Sequence, residues 1–276
     1  MSRPIPQYPP HMDADPNRPV LSSSVYRSAM RKVPEVTVYF WIVKLLTTAM
    51  GEVTSDFLVT RIDPIIAVAL GGIGLAIALL LQFAARRYVP WIYWLTVVMV
   101  AIFGTMAADV LHVGLGIPYL VSSTFFVIAL IIILVAWYMS EKTLSIHSIY
   151  TFRRELFYWA TVMATFALGT AAGDMTATTV GLGYFSSGVM FTVLIALPAL
   201  AYWLLGLNEI VAFWLCYILT RPIGASFSDW LGKTHQQGGF GLGTGWVSLV
   251  LAIFIIGFVR YLTVTLNKAR ARDKQR

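Results

Sequence analysis

Charge is what this sequence has least of. Charged residues fill 12% of its 276 positions, whereas a soluble domain carries roughly 25%. That is too little polar surface to cover a water-soluble globule of this length. Cysteine is nearly absent as well. The single Cys216 lies inside an apolar run, which excludes a disulfide framework and a Cys-rich metal site. Four histidines (His11, His112, His147, His235) are scattered without ligand spacing. No nucleophile–base pair is in view, so no enzyme activity and no cofactor are expected. The Gly-rich segment 238–245 lacks the Lys-Ser/Thr that would complete a phosphate loop.

Apolar residues are what the chain has instead. They make up 58% of it, and mean hydropathy is +0.74. Eight apolar runs fall at about 35–58, 64–84, 89–111, 117–139, 155–178, 183–205, 209–231 and 244–266. Each reaches the roughly 20 residues that a helix needs to cross the hydrocarbon. Alternating strands of a membrane barrel are missing. The expected fold is an all-α integral membrane protein of eight transmembrane helices. Residues 1–33 are polar and Pro-rich, have no apolar core of a signal peptide, and read as a disordered cytoplasmic tail. Residues 267–276 read as a basic tail.

Lys and Arg set the expected orientation. Sixteen lie in the N-terminal tail, the connections after runs two and four, and the C-terminal end. The opposite connections hold only Arg61 and Lys233. Both termini are therefore expected in the cytoplasm, in the cell inner (plasma) membrane.

One pattern recurs four times: Trp, then Gly ten residues on, then Asp five further. It reads Trp41, Gly51, Asp56; Trp94, Gly104, Asp109; Trp159, Gly169, Asp174; and Trp214, Gly224, Asp229. The repeats span 34–87, 88–140, 153–206 and 207–266, each an outgoing and a returning helix. Because every copy lies on an outgoing helix, the repeats are parallel. Gly-Leu-Gly at 114–116, 181–183 and 241–243 precedes the return helices of the last three.

Each copy is also a small-xxx-small pair: Gly51/Ser55, Gly104/Ala108, Gly169/Gly173 and Gly224/Ser228. Small residues four apart let helix backbones approach closely in lipid. These positions share one arc with the Asp and the Trp. The four outgoing helices should therefore surround a pseudo-symmetric centre, with the return helices shielding them from lipid.

The acids carry the functional question. The interiors of the runs hold Glu52, Asp56, Asp109, Asp174 and Asp229 against two bases, Lys44 and Arg221. Such carboxylates must be protonated, wet or matched by cations. Two readings stay open. Either the carboxylates form a cation or proton site, or the four Asp residues cap the turns that follow them. Glu52 tilts the balance, being a poor choice for packing alone. Lys44, Thr48, Glu52 and Asp56 make one stripe at i, i+4, i+8, i+12. Lys44 is read as snorkelling to the interface or tuning the site's charge. Arg221, followed by Pro222, is read as a counter-ion for Glu52 or an Asp, exchanged in gating or fixed. The tryptophans are read as interfacial anchors or as packing at the inner end.

With these motifs in place, the chain resembles a bacterial family of multi-pass membrane proteins of unassigned function. That family is built of four tandem two-helix repeats with a signature Trp. The matching segments are Pro34 to Trp41, Gly51-Glu52 with Asp56, Phe166 to Asp174, and Thr220 to Ala225 with Asp229. The resemblance implies the repeat fold and supplies no substrate. The expected function is a transporter or channel-like permease for a cation, either a divalent metal or the proton of a coupled solute. Hard oxygen ligands would favour Mg²⁺ or Mn²⁺ over a thiophilic metal. The alternative is a non-transporting scaffold or sensor. Expected partners are the lipid bilayer and a small cation or solute, with no nucleic acid; a homo-oligomer is left open.

Overall fold

The computed structural model describes residues 31–273. Eight long helices account for most of them: α1 Val38–Arg61, α2 Pro64–Ala84, α3 Pro90–Asp109, α4 Tyr119–Glu141, α5 Phe152–Asp174, α6 Tyr184–Leu205, α7 Glu209–Gly232 and α8 Thr244–Asp273. They match the eight apolar runs to within a few residues, apart from the C-terminal extension of α8 through 267–273. Seven are long and apolar enough to cross a membrane. The exception is α1, whose polar stripe of Lys44, Glu52 and Asp56 lowers its apolar content.

Local chemistry sets the ends of these helices. Thr37 caps α1 and Thr151 caps α5 by accepting backbone N–H groups. Asp63 caps α2, with Pro64 in its first turn, and Asn208 caps α7. The Gly-Leu-Gly echoes are turns that only glycine adopts without strain. Gly116, Gly181, Gly183, Gly241 and Gly243 all have positive φ. One π-helical turn extends α3 over Val110–Gly114, and another extends α5 over Met175–Thr179. Neither α1 nor α7 has one.

The odd-numbered helices form a closed ring, as expected: α1 packs on α3, α3 on α5, α5 on α7 and α7 on α1. Each even helix lies outside the ring. It packs far more on the next repeat's odd helix than on its own: α2 on α3, α4 on α5, α6 on α7 and α8 back on α1. The outer helices carry the exposed apolar side chains, such as Ile65, Leu80, Ile132, Trp203 and Ile253.

The motif glycines explain how close the ring helices come. A Cβ on Gly51 would lie 2.8 Å from the Ala101 carbonyl carbon, and one on Gly104 would lie 2.9 Å from Phe166 Cβ. Gly169 faces Arg221 Cβ at 2.5 Å and Gly224 faces Thr48 Cβ at 2.7 Å. Each partner sits three residues before its own repeat's glycine, so the same contact passes round the ring four times. The second small position is less demanding. Ser55, Ala108, Gly173 and Ser228 are buried, but a Cβ on Gly173 would meet its nearest atom at 3.7 Å.

Residues 1–30 of the expected tail lie outside the described residues. The remainder corrects its boundary, because Lys32 and Val33 are buried in the body. Lys32 Nζ pairs with Glu155 Oε2 at 2.6 Å, and Gln82 donates to the other carboxylate oxygen at 2.7 Å. Glu155 is thus a further buried acid that the motif does not contain, satisfied by a base from the end of the tail.

Candidate functional site

The ring interior is layered along the odd helices. One end is marked by the tryptophans and the other by the aspartates, here the Trp end and the Asp end.

The Trp end is an aromatic plug. Each tryptophan is preceded by an aromatic: Phe40, Tyr93, Tyr158 and Phe213. Each of these leans on the tryptophan of the next repeat: Phe40 on Trp94, Tyr93 on Trp159, Tyr158 on Trp214 and Phe213 on Trp41. Centroid separations of 5.6–6.3 Å suit tilted aromatic packing. Trp94, Trp159 and Trp214 are buried, and Trp41 is half-buried. The interfacial-anchor reading of the tryptophans therefore gives way to packing. The sequence signal was available in the four aromatic-Trp dipeptides.

Lys44 lies in the ring interior and does not snorkel. It is 1% exposed and its Nζ has no hydrogen-bond partner. The ammonium sits 3.9 Å from the Phe166 ring centroid and 4.2 Å from that of Tyr217, both buried. Ring quadrupoles stand where a carboxylate would otherwise be needed.

Closer to the Asp end, Arg221 reaches across the ring. Its Nη2 pairs with Glu52 Oε2 at 2.6 Å and donates to Thr170 Oγ1 at 2.6 Å and to Thr105 Oγ1. Its Nη1 donates to Thr48 O at 3.4 Å. Thr105 also donates to Glu52 at 3.2 Å. Glu52, Thr105 and Thr170 follow the glycines of the first three repeats, so three repeats converge on one guanidinium from the fourth. The expected Arg221–Glu52 pairing is present, and both side chains are almost completely buried.

The aspartates come next. One carboxylate oxygen from each of Glu52, Asp174 and Asp229 lies within 4.8 Å of the others. Asp229 Oδ1 is buried without a partner. Asp56 is 20% exposed and joins through Lys233, whose Nζ is 3.6 Å from Asp56 Oδ2 and 2.8 Å from Asp229 Oδ2. Asp109 is half-buried and has no ion pair or hydrogen bond among the described residues. None of the four aspartate side chains accepts a backbone N–H among those residues, which is what capping would require. Asp63, outside the motif, does accept such bonds.

Lys233 was the base that sequence reasoning placed elsewhere, among the loop charges that set orientation. Burial pulls its ammonium towards neutrality, but the carboxylates of Asp229, Asp56 and Asp174 outweigh this and raise its pKa well above the ordinary lysine value. With it the interior holds five acids against three bases. Three hard carboxylates with oxygens within 4.8 Å of one another, not fully matched by bases, suit a small cation. A separate groove of 640 Å³ opens between α1, α6 and α7 at the Trp end, lined by Trp41, Ile195 and Phe213 among others. None of the repeated carboxylates lines it.

The model of a family described as a Repeat of Unknown Function (DUF347) matches the chain four times, over residues 39–88, 92–143, 157–206 and 212–266. Each match covers one odd helix and the even helix that follows it, and together they take in most of the chain. No curated protein and no solved structure matches it.

Proposed function

We propose a transport function for this chain, which belongs to the DUF347 repeat family. It is a permease for a small cation, held in the cell inner membrane by its apolar outer helices and catalysing no reaction. On the charge asymmetry of the connections, both termini and the Trp end face the cytoplasm and the Asp end faces outward.

One observation carries the reading: Glu52, Asp174 and Asp229 bring carboxylate oxygens within 4.8 Å of one another inside the ring. Holding like charges that close inside a low-dielectric bundle is costly unless a cation or protons share them. Arg221 anchors Glu52, leaving Asp174 and Asp229 as the adaptable part of the site. Asp56 and Asp109, being more exposed, collect the cation from water. The aromatic plug lies at the opposite end, and Asp56 and Asp109 are the more exposed of the acids, so in this reading the cation enters from the outer side. The hard oxygen donors favour Mg²⁺ or Mn²⁺, and a proton-coupled solute would use the same carboxylates.

The test is flux into proteoliposomes containing the full chain, screened over protons, monovalent ions, Mg²⁺ and Mn²⁺. Ion-dependent flux that Asp174→Asn abolishes in folded protein supports the reading. Equal flux through the wild type and Asp174→Asn, or none for any ion, overturns it.

A further inference from the structure

The fourth repeat carries a device that its siblings lack. Segment 233–243 folds back on the end of α7. Phe240 N–H donates to Trp230 O, Leu242 N–H to Leu231 O and Gly241 N–H to Lys233 O. Lys233 N–H in turn donates to Asp229 O. A Cβ on Gly239 would fall 2.5 Å from the Lys233 carbonyl carbon, so only glycine fits there. Gly238 and Gly241 both have φ of +85°. The Lys233 backbone is thus held on both sides, and only its four-carbon arm is free to move.

That arm delivers a charge to the acids. Nζ lies 2.8 Å from Asp229 Oδ2, 3.6 Å from Asp56 Oδ2 and 3.3 Å from the Tyr184 hydroxyl. It also lies 4.6 Å from the Tyr184 ring centroid. The side chain is 19% exposed, so unlike Arg221 and Lys44 it keeps a way out to solvent.

We propose that Lys233 is a tethered competitor for the cation site: its ammonium holds the carboxylates when no cation is bound, and an entering divalent cation displaces it. This rests on Glu52, Asp174 and Asp229 being that site. The geometry favours displacement over co-occupancy. Asp229 belongs to both the acid cluster and the Lys233 pair, so a cation drawing on it meets the ammonium at close range. With Lys233 swung out, five acids face two bases, an excess of three negative charges that a divalent cation lowers to one and a monovalent ion only to two. The fixed loop then works as a spring-loaded selector: a weakly charged ion does not repay the broken Lys233–Asp229 pair, and a divalent one does.

The experiment measures Mn²⁺ binding to the purified full chain by calorimetry, for wild type, Lys233→Gln, Lys233→Arg and Glu52→Gln. Removing the competing charge should tighten Mn²⁺ binding at least about tenfold in Lys233→Gln. Lys233→Arg, which keeps the charge, should stay near wild type. A second readout needs no variant. Amine-reactive labelling of Lys233 in the wild type, read by peptide mass spectrometry, should run several-fold faster with saturating Mn²⁺. Unchanged or weaker binding by Lys233→Gln, or labelling that Mn²⁺ leaves unchanged or slows, overturns the competitor role. If wild type binds Mn²⁺ and Glu52→Gln does not, such a result removes that role alone. If neither wild type nor Lys233→Gln binds Mn²⁺, the cation site falls and the competitor with it.

Discussion

At the Trp end the four repeats contribute alike. Phe40, Tyr93, Tyr158 and Phe213 each lean on the next tryptophan, and rotation by one repeat returns a near-equivalent arrangement. At the Asp end they do not. The residue after the motif glycine is Glu52, Thr105, Thr170 or Ala225, and the residue three before it is Thr48, Ala101, Phe166 or Arg221. One acid and one base therefore break the symmetry of a ring whose backbone contacts remain fourfold. Repeated sequence maintains the closed end, and departures from the repeat build the charged one. The helix ends follow the same division. The sparer second and third repeats finish in π-helical turns, whereas the first and fourth, which hold Glu52 and Arg221, run on as regular helix.

The largest test of this contrast breaks the pair that carries the asymmetry. Arg221→Met leaves Glu52 buried without its counter-ion and should cost about 3–5 kcal/mol. Adding Glu52→Gln should restore most of that, because both charges are then gone. Thermal unfolding in detergent reads both values, and a double variant as unstable as the single would show that Arg221 acts through packing instead.

Next come the backbone contacts, where the ends should agree. Gly51→Val and Gly224→Val should each lose about 1–3 kcal/mol by overpacking, with Gly173→Ala close to neutral. Similar losses at the first two would sharpen the fourfold reading; a large gap between them would break it. Tyr158→Phe removes the hydroxyl that pairs with Tyr93 in the plug and should cost about 1 kcal/mol, with cation flux unchanged. Asp109→Asn should show the smallest stability effect, within about 0.5 kcal/mol, because Asp109 has no ion pair or hydrogen bond among the described residues. It should nonetheless slow Mn²⁺ flux. Unaltered flux would remove Asp109 from the route.

Much of this was legible before any coordinates. The eight long helices follow from apolar length, and the ring follows from an invariant spacing that puts one small face on every odd helix. The Glu52–Arg221 pair was foreseeable as charge matching inside apolar runs. What escaped was whatever depends on rotation between helices or on chain outside the runs. Spacing alone does not say that Asp174 and Asp229 join Glu52 while Asp109 stands apart. Lys32 and Lys233 flank polar segments and so read as surface charge, although folding buries Lys32 and brings both against carboxylates. Lys44 was read as snorkelling to the interface or tuning the site's charge, and the rings of Phe166 and Tyr217, on different repeats, make its burial tolerable.

Because each even helix rests on the odd helix of the following repeat, the ring obeys a strict order of completion during synthesis. Of the eight helices, α1 waits longest for its cover, since α8 is what closes it. Until the fourth repeat is made, α1, with Lys44, Glu52 and Asp56, lacks both α7 and α8. A nascent chain truncated after three repeats would leave both α1 and α5 without α7, and α6 without the helix it packs on. The same closure makes the choice of starting point arbitrary. Joining the C-terminal end of α8 to the start of α1 and opening the chain between α2 and α3 should return the same ring, built in a different order.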